Sequence, residues 1–219
     1  MSQHSTCMMK RAAALVAMIA AAMPLSATLA LAHHPMGGAT PSTFWHGFLS
    51  GIGHPVIGLD HFAFVIAAGI ASALVGSRLM LPALFIAATI VGCLATVVAG
   101  AAPPAAEYVI AGSVLLIGAI VMVGATVDTR VLGAMFAVAG LFHGSAYAAS
   151  IVGAEPTPLV AYLIGFGLLQ FALMAGAAML TRIAGTPLAT EPRLAGAFVA
   201  GIGATFMVEH IESVLFAGL

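Results

Sequence analysis

Apolar residues along this chain come in long runs rather than in alternation. Long, predominantly apolar stretches lie at about 55–75, 80–100, 107–125, 131–150, 158–181 and 193–216. Each is close to the ~20 residues a helix needs to cross the hydrocarbon core of a bilayer. Between them stand turn-forming or charged residues: Gly76-Ser77-Arg78, Ala101-Ala102-Pro103-Pro104, Val127-Asp128-Thr129-Arg130, Gly153-Ala154-Glu155-Pro156 and Gly185-Thr186-Pro187. The period-2 pattern of a membrane barrel is not what these runs follow. The pattern predicts an all-α polytopic membrane protein with six transmembrane helices over 55–217. Short connections make sequence neighbours antiparallel.

Composition agrees. Of 219 residues, 62% are hydrophobic and 6% charged, with a mean hydropathy of +1.16. No soluble domain of this length hides so much apolar surface. No polar stretch is long enough for a soluble catalytic domain. A net charge of -1 excludes a basic nucleic-acid-binding face. Cys7 precedes the apolar runs and Cys93 lies inside one, so neither a disulfide nor a thiolate metal site is expected.

Residues 1–32 read as a secretory signal peptide. Lys10 and Arg11 form its positive region, Ala12 to about Ala22 its apolar core, and Ala30-Leu31-Ala32 its cleavage site. The competing reading is an uncleaved first helix. Cleavage would leave His33-His34 beside a free amine, a chelating set for a divalent metal. Residues 33–54 are then a periplasmic N-terminal segment. It comprises a loop over 35–43 and a short interfacial helix over Phe44–Ile52, anchored by Trp45 and Phe48. His46 in that helix reads as an interfacial histidine.

Orientation follows from the cations. Arg78, Arg130, Arg182 and Arg193 fall in the first, third and fifth connections, whereas the second and fourth carry only Glu107 and Glu155. The positive-inside rule puts the arginines in the cytoplasm and both termini outside, in a bacterial cytoplasmic membrane. That topology sends the mature histidines to the outer half.

The stretch with most chemistry is His54-Pro55-Val56-Ile57-Gly58-Leu59-Asp60-His61, at the head of the first span. Ionisable groups within a membrane span are expensive and usually functional. In an unbroken helix seven residues of rise would separate His54 and His61 by ~10 Å. The expected solution is that His54 lies just before the helix and folds back toward Asp60 and His61, helped by Gly53, Pro55 and Gly58. The alternative is that Asp60 and His61 cap or pair within the bundle. A second constellation, Phe142-His143-Gly144-Ser145-Ala146-Tyr147, puts His143 and Tyr147 on one helix face. Glu209, His210 and Glu212 form a third near the outer end of the last span. Gln170 lies near the middle of the fifth, where interhelical hydrogen bonding is the commoner role. Gly47-x-x-x-Gly51 and Gly196, Gly201 and Gly203 read as helix-packing faces. Imidazole with carboxylate suits nickel, cobalt or zinc. It suits neither copper(I) nor the all-oxygen sites of calcium and magnesium.

His54-Pro55-x-x-Gly58-x-Asp60-His61 resembles the motif of the HupE/UreJ family. Phe142-His143-Gly144-x-Ala146-Tyr147, Ile151-Val152-Gly153-Ala154-Glu155-x-x-Pro158 and Gly165 to Gln170 are similar to later segments of that family. The resemblance implies a small permease for nickel, and in some members cobalt, often serving hydrogenase or urease maturation. It implies metal handling by His54, Asp60 and His61, with His143 and Glu155 at later matching positions. Where many relatives carry another His or Glu after the His-Gly of the second motif, this chain has Tyr147, Ala148, Ala149 and Ser150.

The expected function is therefore secondary transport of nickel or cobalt into the cell. His33, His34 and the outer histidines would capture the ion and pass it to His54, Asp60 and His61, with His143 and Glu209 or His210 contributing from facing helices. No prosthetic cofactor is expected, and no Walker-type loop for ATP hydrolysis occurs. Uptake should weaken below about pH 6, near the ordinary imidazole range. The membrane, the metal and a metalloenzyme maturation system are the expected partners; a homo-oligomer is compatible with the sequence. The rival classes are an intramembrane metalloenzyme, against which stands the lack of His-Glu-x-x-His, and a non-transporting sensor or assembly subunit. Spans one and four, both His-bearing, would head two three-helix halves, but the sequence shows no convincing self-similarity.

Overall fold

The computed structural model describes residues 39–77, 79–125, 127–184 and 190–216. The signal peptide expected over 1–32, together with His33, His34 and Arg78, lies outside the described residues. Seven α-helices make up the described fold: α1 (Phe44–Ile57), α2 (Leu59–Leu74), α3 (Met80–Ala99), α4 (Ala106–Val123), α5 (Thr129–Tyr147), α6 (Pro156–Ala184) and α7 (Thr190–Leu215). A single 3₁₀ turn, Ala148–Ser150, follows α5. No strand occurs among the described residues.

Local chemistry sets the helix ends. The Thr43 hydroxyl caps α1 by accepting from His46 N at 3.1 Å, and Asp128 caps α5 by accepting from Arg130 N at 2.7 Å. Gly100 and Gly124 end α3 and α4 in the left-handed conformation, where a Cβ is disfavoured.

Five helices, α3 to α7, are each long and apolar enough to cross a membrane, and α1 with α2 makes a sixth span bent by 80°. The first span, expected to begin at Pro55 with His54 just before it, instead opens with a separate helix that contains both residues and bends at Gly58. The interfacial helix does not stop at Ile52; it continues to Ile57, with His54 and Pro55 inside it. Pro55 contributes no N–H and crowds the carbonyl one turn back. The Gly58 N–H closes α1 on His54 O at 3.1 Å, and the chain leaves in an extended conformation. A Cβ at Gly58 would sit 2.7 Å from His61 Cδ2 and 3.2 Å from Asp60 Oδ1, so only glycine fits the break.

Glycines hold the helices together in pairs. A Cβ at Gly47 or Gly51 would collide with the carbonyl oxygens of Pro158 and Tyr162, and one at Gly165 with Phe48 O, so α1 lies flat and parallel on α6. Gly140, Gly144 and Gly92 do the same between α5 and α3, against Phe85 O, Thr89 O and Leu141 O. Gly118, Gly196 and Gly203 seat α4 antiparallel on α7, against Ala200, Met122 and Leu115. Successive crossings alternate in direction. Six spans therefore require the first and fifth, and the second and fourth, to be parallel, and the third and sixth to be antiparallel, which is the pairing found.

The first two of these pairs share one register. Gly47, Phe48 and Gly51 of α1 correspond to Gly140, Leu141 and Gly144 of α5, each 93 residues later. Phe85, Thr89 and Gly92 of α3 correspond to Pro158, Tyr162 and Gly165 of α6, each 73 residues later. The same glycines meet the same carbonyls. Because spans one and four run in opposite directions, so do the two pairs. The two three-helix halves thus share an inverted packing unit that residue identity did not reveal. Under this correspondence Tyr147 occupies the place of His54, and the two rings touch across the bundle with centroids 4.7 Å apart.

Phe64, Phe85 and Phe136 pack together in the core with Ile117 and Leu132. Large apolar side chains such as Leu116, Val138 and Leu168 stay exposed around the bundle, as lipid-facing residues do.

Candidate metal-binding site

The break at Gly58 does what the sequence required of it. His54 ends α1, Asp60 and His61 open α2, and the two imidazole centroids lie 5.7 Å apart. From α5, His143 reaches His61, with Nδ1 of each ring 2.7 Å apart, and Tyr147 covers His61 at 4.7 Å. His54, His61 and His143 are each at most 1% exposed, and Asp60 is 4% exposed, so this carboxylate faces the bundle rather than lipid. Asp60 Oδ1 accepts from His61 N at 2.8 Å and stands 3.9 Å from His61 Nδ1.

The hydroxyls around these rings fix which nitrogen carries the proton. A neutral imidazole has one N–H and one lone pair, and the partner of one nitrogen assigns the other. The Ser113 hydroxyl donates to Ile110 O at 2.7 Å. Toward His143 Nε2, 3.0 Å away, Ser113 Oγ therefore accepts, and His143 Nε2 bears the hydrogen. His143 Nδ1 is then the acceptor for His61 Nδ1–H, which leaves the His61 lone pair on Nε2. His54 follows the same logic. The Tyr162 hydroxyl donates to Tyr147 O at 2.7 Å, so it accepts from His54 Nδ1 at 3.0 Å. Ser150 Oγ stands 3.0 Å from the same nitrogen. With Nδ1–H directed at Tyr162, the His54 lone pair falls on Nε2. Two buried imidazoles are thus held by their Nδ1 atoms, the kind of fixing that outer-shell partners give to metal-binding histidines.

A further chain braces Tyr147. Its hydroxyl receives Gln170 Nε2–H at 3.1 Å, and Gln170 Oε1 accepts from Thr89 Oγ1 at 3.3 Å. Gln170, expected as an interhelical hydrogen bonder, links α6 to α5 and α3. Phe64 lies against His143 with centroids 4.6 Å apart and closes that side with hydrocarbon.

The remaining residues singled out in the sequence lie elsewhere. His210 stands with its Nε2 3.9 Å from Glu107 Oε2 and accepts at its carbonyl from Tyr108 OH at 3.0 Å. Glu209 and Glu212 are exposed on α7, and Glu155 is exposed just before α6. His46 is exposed near the start of α1, its Nδ1 3.3 Å from Ser42 Oγ. Among the described residues no three His, Cys, Asp or Glu side chains converge as a ready-made metal cage. A cavity of about 380 Å³ runs from Gly100, Ala101, Ala102 and Glu107 past Thr96 and Ser145 to His61. Sequence reasoning missed Ser113, Ser150 and Tyr162. Each is a lone polar group in an apolar stretch, and that was the only signal available.

A sequence model described as HupE / UreJ protein matches residues 14–206. The chain is similar to Protein HupE of Rhizobium leguminosarum bv. viciae, with 26% identity over 163 residues covering 69% of this chain and 83% of that protein. No solved structure matches.

Proposed function

The chain belongs to the HupE/UreJ family, and we propose that it is a secondary permease carrying nickel or cobalt into the cell for metalloenzyme or cofactor maturation. One observation carries this reading: the imidazoles of His54 and His61, buried on the two sides of a helix break, come within 5.7 Å of each other with the Asp60 carboxylate beside them. A divalent ion that sheds water needs such neutral nitrogen ligands and one compensating negative charge. Broken helices at a buried site, and halves related by inverted repeats, are recurrent features of secondary transporters. The cavity that reaches His61 gives the ion a wet approach.

In this reading the ion arrives from the periplasm, where both termini lie. His33 and His34 would add imidazoles from the N-terminal segment. The ion exchanges water for His54 and His61, with Asp60 balancing its charge, while His143 orients His61. Glu155 and Glu209 contribute surface negative charge rather than ligands. Uptake runs down the inside-negative potential, worth ~2.3 kcal/mol per charge per 100 mV.

The test is flux of radiolabelled nickel and cobalt into proteoliposomes, with zinc and manganese in the panel. Nickel or cobalt should accumulate. Asp60→Asn, His54→Ala and His61→Ala should each abolish saturable uptake while leaving the protein folded. Unchanged rates in these variants would overturn the assignment.

A further inference from the structure

We propose that Glu107 and His210 form a second, outer capture site for a divalent transition-metal cation, at the mouth of the cavity whose floor is His61. The proposal rests on the transport reading above and adds a place where the ion stops before it loses its water.

His210 and Glu107 face each other as a loose ion pair. His210 Nε2 and Glu107 Oε2 are 3.9 Å apart, too far for a hydrogen bond. Nitrogen and oxygen ligands sit about 2.0–2.2 Å from a borderline divalent ion. Two donors sharing one ion are therefore roughly 3–4.3 Å apart, according to the angle they subtend, and the observed spacing falls inside that window. The two side chains are 26% and 56% exposed, so the pair is wet and an ion could keep most of its water there. Tyr108 holds the histidine in place: its hydroxyl donates to His210 O at 3.0 Å, and the two rings lie 5.7 Å apart.

The cavity supplies the second observation. Glu107 lines its outer end and His61 its inner end. At ~30 Å³ per water, an ion with six waters needs roughly 180 Å³. About 380 Å³ admits it whole. Between the two ends the hydroxyls of Thr96 and Ser145 line the wall and can accept from its water shell. Ser145 directs its own hydrogen to Phe142 O at 2.7 Å, so its oxygen is left as an acceptor toward the cavity. The exposed Glu209 and Glu212 on the same helix end as His210 raise the local cation concentration. A hydrated ion is thus caught outside, passes along a polar wall, and meets two neutral imidazole nitrogens where water runs out.

Two measurements test this on the full chain. The first is nickel uptake into proteoliposomes as a function of nickel concentration. Glu107→Gln and His210→Asn should each raise the half-saturating concentration about tenfold and leave the maximal rate within twofold. The double variant should be no worse than either single one, because both residues serve one ion. Uptake curves that overlay the unmutated protein, or a lower maximal rate with unchanged half-saturation, would overturn the proposal. The second is equilibrium nickel binding to the detergent-solubilised His61→Ala protein. A weak site should persist there and disappear in His61→Ala with Glu107→Gln; its survival in that double variant would refute the capture site. Because binding is read without flux, a protein that transports no nickel at all would sink the permease reading and leave the capture site to be judged by this second experiment.

Discussion

Ser113 is the sharpest place to test the tautomer argument, because besides Ile110 O its hydroxyl bonds the ring behind His61 and not His61 itself. Ser113→Ala removes the acceptor for His143 Nε2–H, 3.0 Å away. His143 can then move its hydrogen to Nδ1, where it would face His61 Nδ1–H across 2.7 Å. To escape that clash His61 must shift its own hydrogen to Nε2, the nitrogen proposed to bind metal. A neutral hydrogen bond biases such an equilibrium by about 0.5–1.5 kcal/mol, equivalent to about two- to twelvefold in affinity at 1.4 kcal/mol per decade. Second-shell changes of this kind commonly weaken metal binding tenfold or more, so the expected loss lies toward the upper end. The assay is nickel uptake into proteoliposomes together with ¹⁵N resonances of the imidazoles, which distinguish the two tautomers. Ser113→Ala should raise half-saturation about five- to twelvefold and show protonated His61 Nε2. Ser113→Thr, which keeps the hydroxyl, should restore both. If Ser113→Ala leaves uptake and the His61 tautomer as they were, the assignment is wrong. If threonine fails to rescue, Ser113 is filling space and not directing a proton.

Other outcomes follow from the same contacts. Gln170→Leu removes the bonds to Tyr147 OH and Thr89 Oγ1; at ~0.6 kcal/mol for each buried interhelical bond, unfolding in detergent should show a loss of about 1 kcal/mol, and no loss would mean that the brace carries no load. Gly51→Ala and Gly144→Ala drive a Cβ into Tyr162 O and Thr89 O at equivalent positions. Both should destabilise by a similar amount, about 1–3 kcal/mol, and a one-sided effect would contradict the shared register. Gly201→Ala meets nothing within 4 Å, so the same thermal assay should find it neutral, or more stable by up to about 1 kcal/mol of helix propensity.

The six spans were legible because hydropathy is additive along the chain. A run such as Leu81 to Val98 reports its own environment without knowing its neighbours. The helix break was only half legible. Pro55 and Gly58 signalled a disturbance, yet Pro55 sits inside α1 rather than at a helix start, because the groove on α6 rewards a helix that continues past it. His54, Asp60, His61 and His143 could be named because ionisable groups in a bilayer advertise themselves. Ser113, Ser150 and Tyr162 could not, since their meaning comes from contacts 30, 96 and 108 residues away. Glu107 read as a loop residue until the last span brought His210 beside it. The repeated packing unit was hidden for a related reason. It keeps the small residues that touch and leaves lipid-facing positions free, so that little beyond Gly47, Gly51 and Gly165 and their counterparts Gly140, Gly144 and Gly92 is shared.

The 80° break at Gly58 has an electrostatic consequence of its own. A helix ends with its last carbonyls unmatched inside the helix and carries about half a negative elementary charge there. Here α1 terminates beside the buried His54, inside the bundle rather than at a water surface. The start of α2 carries the opposite partial charge, but Asp60 occupies its first turn and offsets it. The net field at the kink is negative before any ligand is counted. A straight span through the same residues would have spent those carbonyls on its own backbone and offered the cation proposed to bind there nothing but side chains.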